Sequence, residues 1–108
     1  MSAPPRGERV RHDLIDTFCD QLWLRDGLAA NSLASYRRDL EAWAAWLGTD
    51  NLLKATRSDV ESWLAQQFED KAKATSVARR LSALKRFYRL QLEANAVRED
   101  PTLRVRAP

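Results

Sequence analysis

Apolar side chains recur along this chain at intervals of three and four residues, and rarely of two. That spacing puts them on single faces of helices rather than on alternating faces of strands. All four prolines lie near the ends, at Pro4, Pro5, Pro101 and Pro108, so nothing between Arg6 and Asp100 forbids helix. The pattern predicts an all-α, compact four-helix fold. A first helix runs from about Arg11 to Asp26 with Leu14, Ile15, Phe18 and Leu22 on one face, and Gly27 followed by Leu28 suits a Schellman-type stop. Asn31 or Ser32 can cap the second helix, whose face is Leu33, Tyr36, Leu40, Trp43, Ala44 and Leu47, and Gly48 ends it. The third has two candidate capping boxes, Thr56-x-x-Asp59 and Ser58-x-x-Glu61, ahead of a buried side of Val60, Trp63, Leu64 and Phe68. The fourth runs from Ala74 to about Ala94, burying Val77, Leu81, Leu84, Tyr88 and Leu92. Residues 1–10 and 101–108 lack periodicity. The first stretch reads as a flexible tail, and the second as the start of a linker leaving a helical domain of residues 11–100.

With 108 residues the chain can build one modest core. No apolar run approaches the roughly 18 residues of a membrane span, and the start, Met1 to Gly7, has no apolar stretch of the signal-peptide kind. Cys19, the one cysteine, rules out an internal disulfide and fits a reducing, cytoplasmic setting. The net charge of +3 says little by itself; its distribution says more. Residues 71–90, "KAKATSVARRLSALKRFYRL", hold seven of the 18 Lys+Arg and none of the 15 Asp+Glu, so this stretch carries +7 and the remainder −4.

On a helical wheel that charge is sorted. Thr75, Arg79, Ser82 and Arg86 lie opposite the apolar stripe, Arg89 lies close by, and Arg80 and Lys85 flank the stripe. A solvated helix face usually mixes signs, and no Glu at i±4 neutralises this one. Arginine with short hydroxyl residues suits phosphate oxygens and base edges, and a helix about 10–12 Å across enters the major groove of B-DNA. A helix lying on a membrane would expose bulky apolar residues, whereas this apolar face has the period of a core. The second helix offers a weaker surface of the same kind: Ser32, Ser35 and Arg38 outward near its first two turns, Arg37 at the edge, and a positive dipole end.

Other chemistry finds little support. Trp43 and Trp63 fall on core stripes, and Trp23 and Trp46 lie off them, where they are expected to seal helix edges. Cys19 has no second Cys or neighbouring His to make it a nucleophile, and reads as a small, partly buried residue. His12 stands alone, so no metal cluster is expected; nor is there a glycine-rich phosphate loop or a paired acid and base. No cofactor is implied.

The stretch "LIDTFCDQLWLRDGLAANSLASYRRDLEAWAAWL" and the later "KATSVARRLSALKRFYRL" together resemble the N-terminal core-binding domain of tyrosine recombinases of the phage integrase family. The ordered pieces are an apolar first helix, a Gly-Leu-Ala-x-Asn-Ser-Leu turn, Tyr-Arg-Arg-Asp-Leu, an aromatic-Leu stop and Thr-Ser-x-Ala-Arg-x-Leu-Ser-Ala; they span about Asp13 to Pro101. The resemblance implies a SAM-like domain forming half of a clamp on duplex DNA, with the second and fourth helices against the major groove of a recombination half-site. Carried over residue by residue, it marks Ser32, Ser35 and Arg38, and Lys73, Thr75, Ser76, Arg79, Arg80, Ser82 and Arg86, as DNA-facing. It implies that the first helix touches a neighbouring recombinase. It also implies that the full-length protein works with a XerC-type partner in a DNA-bound heterotetramer that resolves chromosome dimers before cell division. The isolated domain is expected to be monomeric. Catalysis does not carry over, because the His-x-x-Arg…Tyr arrangement of the family's second domain is not in this sequence; Tyr36 and Tyr88 fall on core stripes.

Two other readings fit the same helices. A helix-turn-helix regulator would use the third helix, the Glu69–Lys73 loop and the fourth helix, but that loop is slightly long and lacks Gly. A helical protein-interaction module would turn the basic face to an acidic protein. A dimer on a palindrome would favour the regulator, and failure of duplex DNA to compete would favour the interaction module.

Overall fold

The computed structural model describes the backbone of residues 6–107 and the side chains of residues 14–48 and 50–107. The fold is all-α, as the periodicity predicts. Helix α1 spans Arg6–Asp26, α2 Ala30–Leu47, α3 Arg57–Glu69 and α4 Ala74–Glu93, with a short 3-10 helix at Thr49–Lys54. Among the described residues there is no strand. The backbone divides into two compact units, one up to Leu52 and one from Leu53 onward.

In the first unit α1 packs on α2. Its buried side chains are Ile15, Phe18, Cys19 and Leu22 from α1, Leu40, Trp43 and Ala44 from α2, and Leu52 from the 3-10 helix. The Phe18 ring meets Tyr36 edge to face, with centroids 6.0 Å apart at 81°, the geometry aromatic quadrupoles favour. An ion pair from Arg37 on α2 to Asp16 on α1 joins the same two helices. Leu14, Leu33, Tyr36 and Leu47, expected in the core, are half-buried.

Helix α1 begins five residues before the predicted Arg11. Extending a helix costs far less than starting one, so the stretch from Arg6 needs no apolar stripe of its own. The side chain of His12 lies outside the described ones. At the other end Gly27 sits at φ 64° and its amide donates to the Trp23 carbonyl at 3.2 Å, so the helix closes with an αL stop rather than the full Schellman pair. Helix α2 is capped neither by Asn31 nor by Ser32: Ala29 is its N-cap and supplies no side-chain bond. The Gly-Leu-Ala turn delivers an extended Ala29 two residues ahead of Asn31 and three ahead of Ser32. Trp23 and Trp46 do not seal an edge. They are 56% and 41% exposed, and Trp46 stacks on Trp43 at 5.8 Å and 17°.

In the second unit α3 packs on α4. Of the two candidate caps, Thr56 is the one used. Its Oγ1 accepts from the Asp59 amide at 3.1 Å, and its own amide donates to Asp59 Oδ2 at 2.9 Å. Val60, Trp63, Leu64 and Gln67 are buried from α3, and Val77, Leu81, Ala83, Leu84, Phe87, Tyr88 and Gln91 from α4. Phe68 and Leu92, expected in the core, are 41% and 39% exposed, each in the last turn of its helix. The stretch after α4 is not loose: Pro101, Thr102 and Val105 are buried.

Candidate nucleic-acid interface

The α4 backbone can run unbroken for 20 residues because it contains neither Gly nor Pro. It starts at an extended Lys73 and stops where Asn95 turns to φ 59°, with the Asn95 amide donating to Leu92 and that of Ala96 to Gln91. The buried residues of α4 cover an arc of about 160° on the wheel. Lys73, Thr75, Arg79, Ser82 and Arg89 are exposed, and Ser76, Arg80 and Arg86 are half-buried. Two flanking cations are drawn inward. Arg80 Nη1 donates to Gln67 Oε1 at 2.7 Å, and Lys85 Nζ donates to the Thr102 carbonyl. At the far end Arg89 pairs with Glu93 at 3.9 Å, so the expectation that nothing acidic stands four residues away fails at this last turn. From Lys73 to Arg86 the face carries no acidic side chain.

On α2, Ser32 and Arg38 are exposed and Ser35 is half-buried. The adjacent Arg37 is differently used: besides Asp16 it reaches Glu41 at 4.0 Å, and the hydrogen bond with Asp16 holds its guanidinium even more firmly protonated than usual. Of the two neighbouring arginines, one therefore joins helices and the other faces outward.

Two other potentially reactive side chains, Cys19 and Tyr88, are enclosed. Cys19 is buried, and that burial pushes its thiol up from the ordinary value, the opposite of what a nucleophile needs. Tyr88 is fully buried against Phe87, with ring centroids 5.0 Å apart. No group of three or more His, Cys, Asp or Glu among the described residues could hold a metal ion. No helix among them is long and apolar enough to cross a membrane. Sequence reasoning passed over Lys71, which is exposed and takes an αL conformation at φ 61° just ahead of α4. Its place in the basic run was the available signal.

An α-helical domain with a sorted basic helix is a form shared by many DNA-binding proteins; comparison with known sequences narrows it. Residues 15–95 match the family described as phage integrase, N-terminal SAM-like domain, and the chain belongs to that family. It is similar to tyrosine recombinase XerD of Yersinia pestis, at 44% identity over 88% of this chain and 32% of the relative. It is likewise similar to tyrosine recombinase XerD of Pseudomonas aeruginosa, at 45% identity over 92% of this chain and 34% of that relative. The chain thus spans about a third of the length of the relatives it matches. No solved structure gives a significant match.

Proposed function

We propose that this chain is the DNA-binding domain of a XerD-type tyrosine recombinase, holding one recombination half-site so that the catalytic domain of the full-length protein can act on it. The observation that carries this reading is the α4 face: Lys73, Thr75, Arg79, Ser82 and Arg86 line it with no acidic residue among them. Arg79 and Arg86 hold phosphate oxygens, which fixes register, while Ser82 and Thr75 reach toward base edges. Ser32, Ser35 and Arg38 on α2 supply a second contact, and Ser76 and Arg80 border the first. Arg80 contributes through its charge more than by a direct bond, since Gln67 takes one of its donors. Identity to proteins named tyrosine recombinase XerD supports the same reading. Under it the full-length protein pairs with a XerC-type recombinase in the cytoplasm to resolve chromosome dimers.

The chain binds and positions but does not cut. Residues 1–108, incubated with a nicked recombination substrate, should form no covalent DNA adduct, and a 3′-phosphotyrosyl adduct would contradict the assignment of chemistry to another domain. On plain duplex, affinity at physiological salt should fall in the nonspecific range of about 10⁻⁴–10⁻⁶ M. Absence of any binding at low salt would turn the reading toward an acidic protein partner.

A further inference from the structure

The eleven residues that follow α4 and its Ala94 cap, 95–105, are tied down at several independent points. Asn95 in αL turns the chain, with the amide of Ala96 bonded to Gln91 at 2.9 Å. Asp100 then organises a second turn: its Oδ1 accepts from both the Thr102 amide, at 2.8 Å, and the Thr102 hydroxyl, at 2.6 Å. The Leu103 amide donates to the Asp100 carbonyl at 3.2 Å, and the Val105 amide to the Thr102 carbonyl at 3.0 Å. Lys85 on α4 donates its ammonium to that same Thr102 carbonyl. Thr102 is fully buried and Val105 is 4% exposed. Fixing this many backbone dihedrals costs conformational entropy at every residue, so the segment holds its form only because these bonds and buried groups offset that cost.

We infer that residues 95–105 form a fixed exit strap, with Lys85, Asp100 and Thr102 as its positioning residues, so that the chain leaves α4 in a set direction and becomes free to turn only beyond Val105. The strap and the basic face share one helix, so whatever orients α4 on a ligand also orients the chain's point of departure. This use rests on the proposed function, because only a domain that positions another gains from a fixed exit. A second consequence is that Lys85 serves the strap and not the bound ligand, although it belongs to the basic run.

The test is amide hydrogen exchange, read by nuclear magnetic resonance on the 108-residue chain and normalised to intrinsic rates, with duplex affinity measured on the same samples. Thr102 and Val105 should exchange at least about tenfold more slowly than Arg106, as members of a cooperatively held segment do. Asp100→Ala should bring both to within about threefold of Arg106 while Leu84 and Phe87 stay protected. Lys85→Met keeps the apolar stem and removes the donor; it should speed exchange at Val105 and change duplex affinity by less than about threefold. Exchange of Thr102 and Val105 at the Arg106 rate in the unmutated chain would overturn the strap, whatever the variants do. So would a Lys85→Met protein with an unaltered strap and a loss of DNA binding as large as that of Arg79→Glu. A protected strap in a chain that binds no DNA would instead count against the proposed function alone.

Discussion

Single side chains show how one residue type takes opposite roles within a few positions. Arg37 and Arg38 are neighbours, yet the first is fastened to Asp16 and the second faces solvent. Arg80 and Arg79 differ in burial, Arg80 being half-buried and bonded to Gln67 and Arg79 exposed. Residue type and wheel position could not tell such partners apart, because the partner lies on another helix. Buried polar groups were illegible for a related reason: Asp39, Gln67 and Gln91 sit inside at 3%, 6% and 8% exposure, where a pattern of apolar positions leaves gaps. Gln67 is satisfied there by Arg80 and by its bond to the Trp63 carbonyl at 3.4 Å. Two outcomes belong at this scale. Leu81 is 2% exposed, so Leu81→Ala should cost about 2–5 kcal/mol in denaturant unfolding, and a change below about half a kcal/mol would mean its face is wrongly placed. For Cys19, burial raises the folded thiol's pKa, so between the unfolded and folded values the unfolded chain binds fewer protons. Stability therefore falls as pH rises through that alkaline window and is untouched by this group below it. Alkylation of Cys19 at pH 8 should track unfolding, and rapid labelling of the folded protein would contradict its burial.

Helices were more legible in their middles than at their ends. The start of α4 at Ala74 agrees with the sequence pattern although its N-cap Lys73 makes no side-chain bond, and the Thr56 box used by α3 was one of two candidates that the sequence left open. The stops after α3 and α4 could not be read: both are Schellman turns made without glycine, by Lys71 and Asn95. After α3, the Ala72 amide reaches the Gln67 carbonyl at 2.9 Å, which forces Lys71 to φ 61°. A side chain there costs roughly 1–2 kcal/mol, of which glycine's extra freedom in the unfolded chain takes back part. Lys71→Gly should therefore stabilise the protein by about 0.5–1 kcal/mol, read as a rise in the denaturant midpoint. A loss would show that the lysine side chain does more for the fold than its backbone strain costs. The exit strap was illegible altogether, because its order comes from Lys85 and from buried Thr102 and Val105, not from any periodic pattern.

At the scale of the whole molecule, the charge of residues 71–90 defines the candidate function, and the rest of the chain offsets it with −4. A like-charged helix face opposes helix formation, so its persistence calls for a use. The proposed use is one major groove and its flanking phosphates, and its most direct signature is the dependence of binding on salt. Arg79→Glu with Arg86→Glu leaves the apolar stripe untouched, so circular dichroism should report an unchanged helix content. Duplex binding by the unmutated chain and by this double variant should be titrated over a decade of salt. If roughly four phosphates are neutralised, log K for the unmutated chain falls by about 3.6 per decade. The double variant should bind more weakly and with a clearly shallower slope. A folded double variant with unchanged affinity and slope would contradict the account, and would leave the basic face of α4 as a solvated surface and nothing more.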